Sequence, residues 1–378
     1  MTDQLPGKRI VDACHERGYH GTDRSPIHLN TKVVTVNGSF FQRLALPAGM
    51  VLVLVLLAVC TGCGSGPTVF GRPLLIISDP EETRLFMYDN SPRRLVITDP
   101  QFKLIREITH PSLQNVWGMT LSTKGEIVVA TDRYDGEGFE AQSDQKNAVA
   151  AILWFDQAGN LLKNKEWRGG LGPVKKPIQI EALPDSTFLL TDAGSDRIFR
   201  LNQDGEVIGA YGQTGSAPGQ VYFPNDIQRT PDGKILLTDT FNSRVQEFRL
   251  TDIATVSAPA SGSLPEALAF ERVVLEKGME PGKVRFPQYM SFDTDGNWYI
   301  SELETMRVGK YDSKGTFLKA FIPAQDKTAT GTEQFFEFYG VTYLPKSHRL
   351  LVADSLNAGI HVFSDDGATL EVVSGPRP

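Results

Sequence analysis

Residues 223–250 read FPNDIQRTPDGKILLTDTFNSRVQEFRL, and this stretch decides the fold. A short half-apolar segment meets Pro231-Asp232-Gly233, which supplies the positive φ that a tight hairpin needs. Four apolar and small residues then run into an acidic one, Asp239, followed by a polar turn and another strand-like segment. Asp239 and Asn242 are the residue types that cap such a turn through their own backbone, and Arg244 is placed to pair locally. One copy of this grammar is a twisted antiparallel sheet with no means of burying both faces.

The grammar recurs. PIQIEALPDSTFLLTDAGSDRIFRLNQDGEVIGAYG starts at Pro177, FPQYMSFDTDGNWYISELETMRVGKYDSKGTFLKAFI at Phe286 and FYGVTYLPKSHRLLVADSLNAGIHVFSDDGATLEVV at Phe338. A further copy begins at Val116 with WGMTLSTKGEIVVATD and resumes after a polar insertion as AILWFDQAGNLLKNKE. A degenerate one, PLLIISDPEETRLFMYDNSPRRLVITDPQFKLIREI, starts at Pro73. The acid that closes the second strand serves as a ruler: Asp89, Asp132, Asp192, Asp239, Glu302 and Asp354, at intervals of 43, 60, 47, 63 and 52 residues. Four short strands and their turns take roughly 35–45 residues, the length of a propeller blade. Insertions over residues 134–147 and 253–270 explain the longest gaps.

The chain is therefore expected to be all-β, a six-bladed β-propeller of four-stranded antiparallel blades over residues 73–378. Stacking six sheets around an axis buries face on face and leaves only short edges. The first blade holds all four of its own strands between Leu74 and Ile108. Ring closure by face packing follows, with no blade shared between the two ends, unless Leu74–Ser78 is an extra strand.

The Phe223 copy, with Pro224, Pro231-Asp232-Gly233, Thr238-Asp239, Asn242 and Arg244, resembles the NHL repeat family, and the likeness covers most of residues 73–374. The resemblance implies strands ordered outward from a central channel. It also implies a binding site at the end where the loops before each inner strand gather with those between second and third strands. The repeat ruler puts Asn115 and Trp117, Gln179 and Glu181, Asn225 and Asp226, Gln288 and Tyr289, and Glu337 and Tyr339 there. Aromatics, amides and carboxylates of this mix suit a sugar-like, peptide-like or small polar ligand, or else they satisfy channel waters and turn backbones.

Two enzymatic resemblances compete with this binding module. Pro224-Asn225-Asp226 with Pro231-Asp232-Gly233 and Thr238-Asp239 looks like part of the gluconolactonase-type propellers. Those hydrolyse lactones or esters with one divalent cation, such as calcium, and here Asn225 and Asp226 would be its ligands; the early Glu-Gly-Pro-type segment of that family is missing. The amidating-lyase propellers use zinc held by histidines on separate blades. Here His110 falls between blades, His348 in a hairpin turn and His361 in an outer strand, so they do not share equivalent positions. The leading expectation is a non-catalytic module without a cofactor, its partner an envelope protein or a small polar ligand.

The address is written before residue 73. No charged residue occurs from Leu44 to Gly71, Met50–Val59 reads MVLVLVLLAV, and Arg43 precedes the run. That is the build of a secretory signal, over residues 43–62. Thr61-Gly62-Cys63 resembles the lipobox of bacterial lipoproteins, where the Cys is acylated, although Cys60 stands where Leu is usual. Leu44–Gly62 is also long enough for an uncleaved anchor helix. Either anchor leaves the body outside the cytoplasm, in the bacterial envelope facing the periplasm or exterior. The absence of Asp after the cysteine region suggests the outer membrane. Residues 63–72 read as a linker, and residues 1–42 as a disordered leader or a start codon assigned too far upstream.

Composition agrees with export and argues against nucleic acid. The net charge is −7; residues 1–62 hold six Lys and Arg and four Asp and Glu, so the remainder carries 32 against 41. Such a surface lacks the basic stripe that releases counterions from phosphates. Past Cys63 there is no cysteine, so neither disulfide nor thiolate chemistry is open to the body.

Overall fold

A computed structural model describes residues 70–135, 145–253, 263–322 and 338–374. The expectations for residues 1–69, including the signal segment and Cys63, lie outside the described residues, as does Glu337. Within them, six four-stranded antiparallel sheets follow one another, each with its strands in sequence order. The inner strands are Pro73–Ser78, Asn115–Leu121, Pro177–Ala182, Pro224–Arg229, Pro287–Phe292 and Phe338–Leu344, and define blades 1 to 6. The chain is a six-bladed β-propeller.

Burial explains why the second strands are the most apolar. Leu85–Asp89, Phe188–Asp192, Ile235–Asp239 and Trp298–Glu302 are buried along their whole length, covered by neighbouring blades on both faces. Outer strands such as Leu104–Ile108 are mostly exposed. The hairpin glycines do as expected, with Gly205 at φ 81° and Gly233 at φ 91°. Two boundaries differ from the sequence reading. Phe70, inside the expected linker, is already buried in the core shared by blades 1 and 6. The outer strand of blade 4, Leu268–Leu275, begins inside the stretch read as an insertion.

The ring closes as expected, between blades that each own four strands. The inner strands of blades 6 and 1 pack directly. Gly340 makes this possible, because a Cβ there would meet Leu74 O at 2.9 Å and both Ile76 N and Leu75 Cα at 3.0 Å. Polar contacts seal the seam: Thr342 Oγ1 donates to Ile76 O, Ser347 N to Glu82 Oε2 and Arg349 to Pro100 O.

The ruler acids have a structural job. In all six blades the acid faces the first residue of the inner strand in register, from Pro73 opposite Asp89 to Phe338 opposite Asp354. Asp89 accepts the backbone N–H of Gly71 and Arg72, Asp192 those of Lys175 and Lys176, Asp239 that of Tyr222 and Glu302 that of Arg285. Each buried carboxylate thus fastens the segment leading into its own inner strand. Asp239 also accepts from Asn242 at 2.8 Å, Arg244 at 2.7 Å and Gln246 at 3.1 Å, so the local pairing of Arg244 holds.

Candidate functional site

Just past the ruler pairing, every inner strand gains one residue on its partner. The register slips between Pro73 and Leu75, Val116 and Gly118, Pro224 and Ile227, Pro287 and Met290, and Phe338 and Val341, and likewise opposite Leu190 and Asp192. A bulge re-aims side chains, so strict alternation fails where the inner strands begin. Neighbours such as Asn225 and Asp226 are both buried in consequence.

The structure brings some of the expected residues together and separates others. Tyr289, on blade 5, reaches across the channel to the opposite blade 2 and donates its hydroxyl hydrogen to Trp117 O at 2.7 Å. Beyond this bar, toward the far ends of the inner strands, a cavity of ≈ 210 Å³ opens. Gln179, Gln228, Tyr289, Ser291 and Thr342 contribute its polar lining. Gln179 accepts from Met119 N at 3.2 Å. Asn225 and Gln288 serve the blade 4–blade 5 contact: Asn225 Nδ2 donates to Gln288 O at 3.0 Å, and Gln288 Nε2 to Phe286 O at 3.1 Å. Tyr339 is partly buried, its carbonyl accepting from Ser301 at 2.8 Å.

Two carboxyls lie close enough in the depth of the channel for one to feel the other's charge. Asp226 accepts from Met290 N at 2.5 Å and Gln228 Nε2 at 3.1 Å. Burial pushes its pKa up to about 7, with these hydrogen bonds opposing. Glu181 keeps some exposure to the lumen, yet desolvation, aided by the charge of Asp226, pushes it up to about 8. Each carboxyl makes ionisation of the other costlier. Asn225 turns its amide nitrogen to blade 5 backbone, and the Asp226 oxygens each accept one hydrogen bond, from Gln228 and from Met290 N. Among the described residues, no three His, Cys, Asp or Glu side chains converge on one point.

The other end, where the inner strands begin, holds a different group. Asp132 departs from Asp89, Asp192, Asp239 and Glu302, taking the indole N–H of Trp117 at 2.6 Å instead of a backbone amide from the preceding segment. Burial raises its pKa, while Trp117, the charge of Lys176 and the Asn115 side chain pull the other way. The Lys176 ammonium lies 5.5 Å from the centre of the Trp117 ring and 5.7 Å from that of Phe223. Asn115 and Trp117 were expected here; Asp132 and Lys176 were not. Asp132 was hidden by its regular spacing. Lys176 had a visible signal, since it stands just before an inner strand, where blades 1, 4 and 5 carry Arg72, Phe223 and Phe286.

No model of a known protein family matches the sequence, and no curated protein matches it. Solved structures do resemble it in fold. A streptogramin B lyase is 14% identical, with a TM-score of 0.52 over 83% of this chain and 86% of that one. A catalytically inactive virginiamycin B lyase from Staphylococcus aureus, solved with quinupristin, is 14% identical with a TM-score of 0.51 over 81% and 85%. A protein provisionally assigned as a gluconolactonase is 16% identical with a TM-score of 0.50 over 76% and 87%. At such identities the likeness is one of fold alone.

Proposed function

We propose that this protein is an exported, membrane-tethered propeller of NHL type that works as a binding module, taking a small polar ligand or an envelope partner at the channel end where the inner strands begin. One observation carries the reading. Asn115, Trp117 and Asp132 of blade 2 and Lys176 before blade 3 combine an aromatic face, amide and carboxyl groups and a cation in one place. A few oriented polar groups beside aromatic surface are what a specific pocket needs. The charge-free run from Leu44 and the lipobox-like Thr61-Gly62-Cys63 support the address, with the outer membrane as destination.

Native mass spectrometry of the full chain, purified from its own membranes, tests the binding. A co-purified polar ligand or partner that Trp117→Ala loses is the expected result; no bound species in either form sinks the reading. For the anchor, globomycin is expected to leave an unprocessed precursor, and unchanged processing would rule out acylation at Cys63. A second reading, a lactone or ester hydrolase, is favoured by the coupled carboxyls Glu181 and Asp226, whose raised pKa values suit general acid–base work. Hydrolysis of a lactone panel that is lost in Glu181→Gln would replace the binding-module reading.

A further inference from the structure

The channel end carries more aromatic surface than the sequence reading placed there, and it lies in a row. Phe223 and Phe286 stand at equivalent positions, each just before the proline that begins an inner strand. Their φ values are 56° and 46°, conformations that bulky residues avoid and that a following proline also disfavours. Each is pinned from the turn of the preceding blade: Asp196 Oδ1 accepts Phe223 N at 2.8 Å, and Ser243 Oγ accepts Phe286 N at 3.3 Å. Between them sits Phe241, stacked on Phe223 at 4.5 Å and edge-on to Phe286 at 6.3 Å. Tyr222, 44% exposed, packs on Phe241 at 5.2 Å. The rings of blades 4 and 5 thus continue from Trp117 on blade 2, with Lys176 bridging the gap over both Trp117 and Phe223.

Two features of this row select a ligand. The rings are partly exposed and succeed one another by contact from Phe223 through Phe241 to Phe286, so they suit an extended molecule with repeated apolar faces. Asn115 and Asp132 beside Trp117 supply the amide and carboxyl groups that hydroxyls require. A chain of pyranose rings has both properties, C–H faces to lie on aromatic rings and hydroxyl edges to bond at the rim. The Lys176 ammonium makes no ion pair among the described residues; the nearby Asp132 is engaged by the indole N–H. Ring faces compensate such a cation only in part, leaving it able to take an anion.

We infer that the channel end binds an acidic saccharide, with its sugar rings packed against the exposed parts of Trp117, Phe241 and Phe286 and a sugar carboxylate on the Lys176 ammonium. The inference rests on the binding-module reading and narrows it to one ligand class. A titration with two probes tests it. The full chain in detergent is titrated by calorimetry and indole fluorescence with an oligogalacturonide and with a neutral cello-oligosaccharide of equal length. The acidic probe is expected to bind about tenfold tighter, a difference of about 1.4 kcal/mol. Lys176→Met should bring the two affinities within about twofold, as loss of one charge contact would. Phe241→Leu should weaken both probes and keep their ratio, with thermal unfolding checking that the fold survives. Equal affinities in the unaltered chain, an acid preference that persists in Lys176→Met, or no binding of either probe would overturn the inference. A non-saccharide ligand recovered from membranes and lost in Trp117→Ala would remove it while leaving the binding module in place.

Discussion

Tyr289 and Trp117, 172 residues apart in sequence, meet across the centre of the ring, the tyrosine hydroxyl donating to the tryptophan carbonyl at 2.7 Å. They belong to opposite blades, so this bond spans the channel instead of lining it. Burial raises the Tyr289 pKa well above the ordinary phenol value, with the Asp226 and Tyr339 charges adding to it. The hydroxyl therefore stays protonated and a donor throughout the usual pH range.

Tyr289→Phe keeps the ring and leaves Trp117 O without this donor. Losing a partner of this kind costs about 1–2 kcal/mol. The urea midpoint should fall accordingly with the slope unchanged. An unaltered midpoint would mean that water replaces the hydroxyl at no cost and that the bar is not a stabilising element.

The ruler acids should separate into two kinds on mutation. Asp239 is fully buried and pairs with Arg244, itself 8% exposed. Asp239→Ala leaves a buried guanidinium without its counter-charge and should cost roughly 3–5 kcal/mol. Asp132 holds a side chain, Trp117, and no backbone amide from the preceding segment. Asp132→Asn should cost about 1 kcal/mol while weakening whatever binds beside Trp117. Equal losses of stability in the two variants would show that Asp132 fastens its blade like the others.

That division was illegible in the sequence, and the reason is physical. The ruler works because an acid must face the first residue of each inner strand, so blade number, turn positions and ring closure all follow from its spacing. The same regularity conceals Asp132, whose position obeys the repeat while its partners do not. The inner-strand bulge was hidden as well, since one extra residue changes no spacing that the ruler measures. It nevertheless turns Asn225 into the blade 4–blade 5 contact and sends Tyr289 across the channel. Lys176, Phe223 and Phe286 are illegible to the ruler because they stand just before the inner strands it measures. Their alignment just before Pro177, Pro224 and Pro287 was the available clue.

Gly340 marks the seam where the ring closes. A methyl group there would press on the backbone of residues 74–76 at 2.9–3.0 Å, and backbone cannot rotate away as a side chain can. Gly340→Ala should therefore push blades 6 and 1 apart. Overpacking of this kind typically costs about 1–3 kcal/mol. The seam contacts of Ser347 with Glu82 and Arg349 with Pro100 should then loosen, seen as faster amide exchange in residues 73–78 than in the inner strand of blade 3. A uniform change around the ring would contradict a local seam.

The coupled carboxyls in the channel give stability a pH dependence of definite sign. Glu181 is raised to about 8 and Asp226 to about 7, whereas both titrate near about 4 in an unfolded chain. Between these limits the folded form binds more protons than the unfolded one, so stability falls as pH rises. It is complete below about pH 4 as far as this pair is concerned, and the loss levels off above about pH 8. The two protons belong to the pair jointly, so removing one charge should relieve both sites. Glu181→Gln is expected to flatten the fall in Tm between about pH 5 and 8, which should amount to a few degrees because lumen water screens Glu181. Scanning calorimetry of both forms across that range decides the matter. An identical slope in Glu181→Gln would mean that Glu181 ionises at its ordinary pKa and does not interact with Asp226.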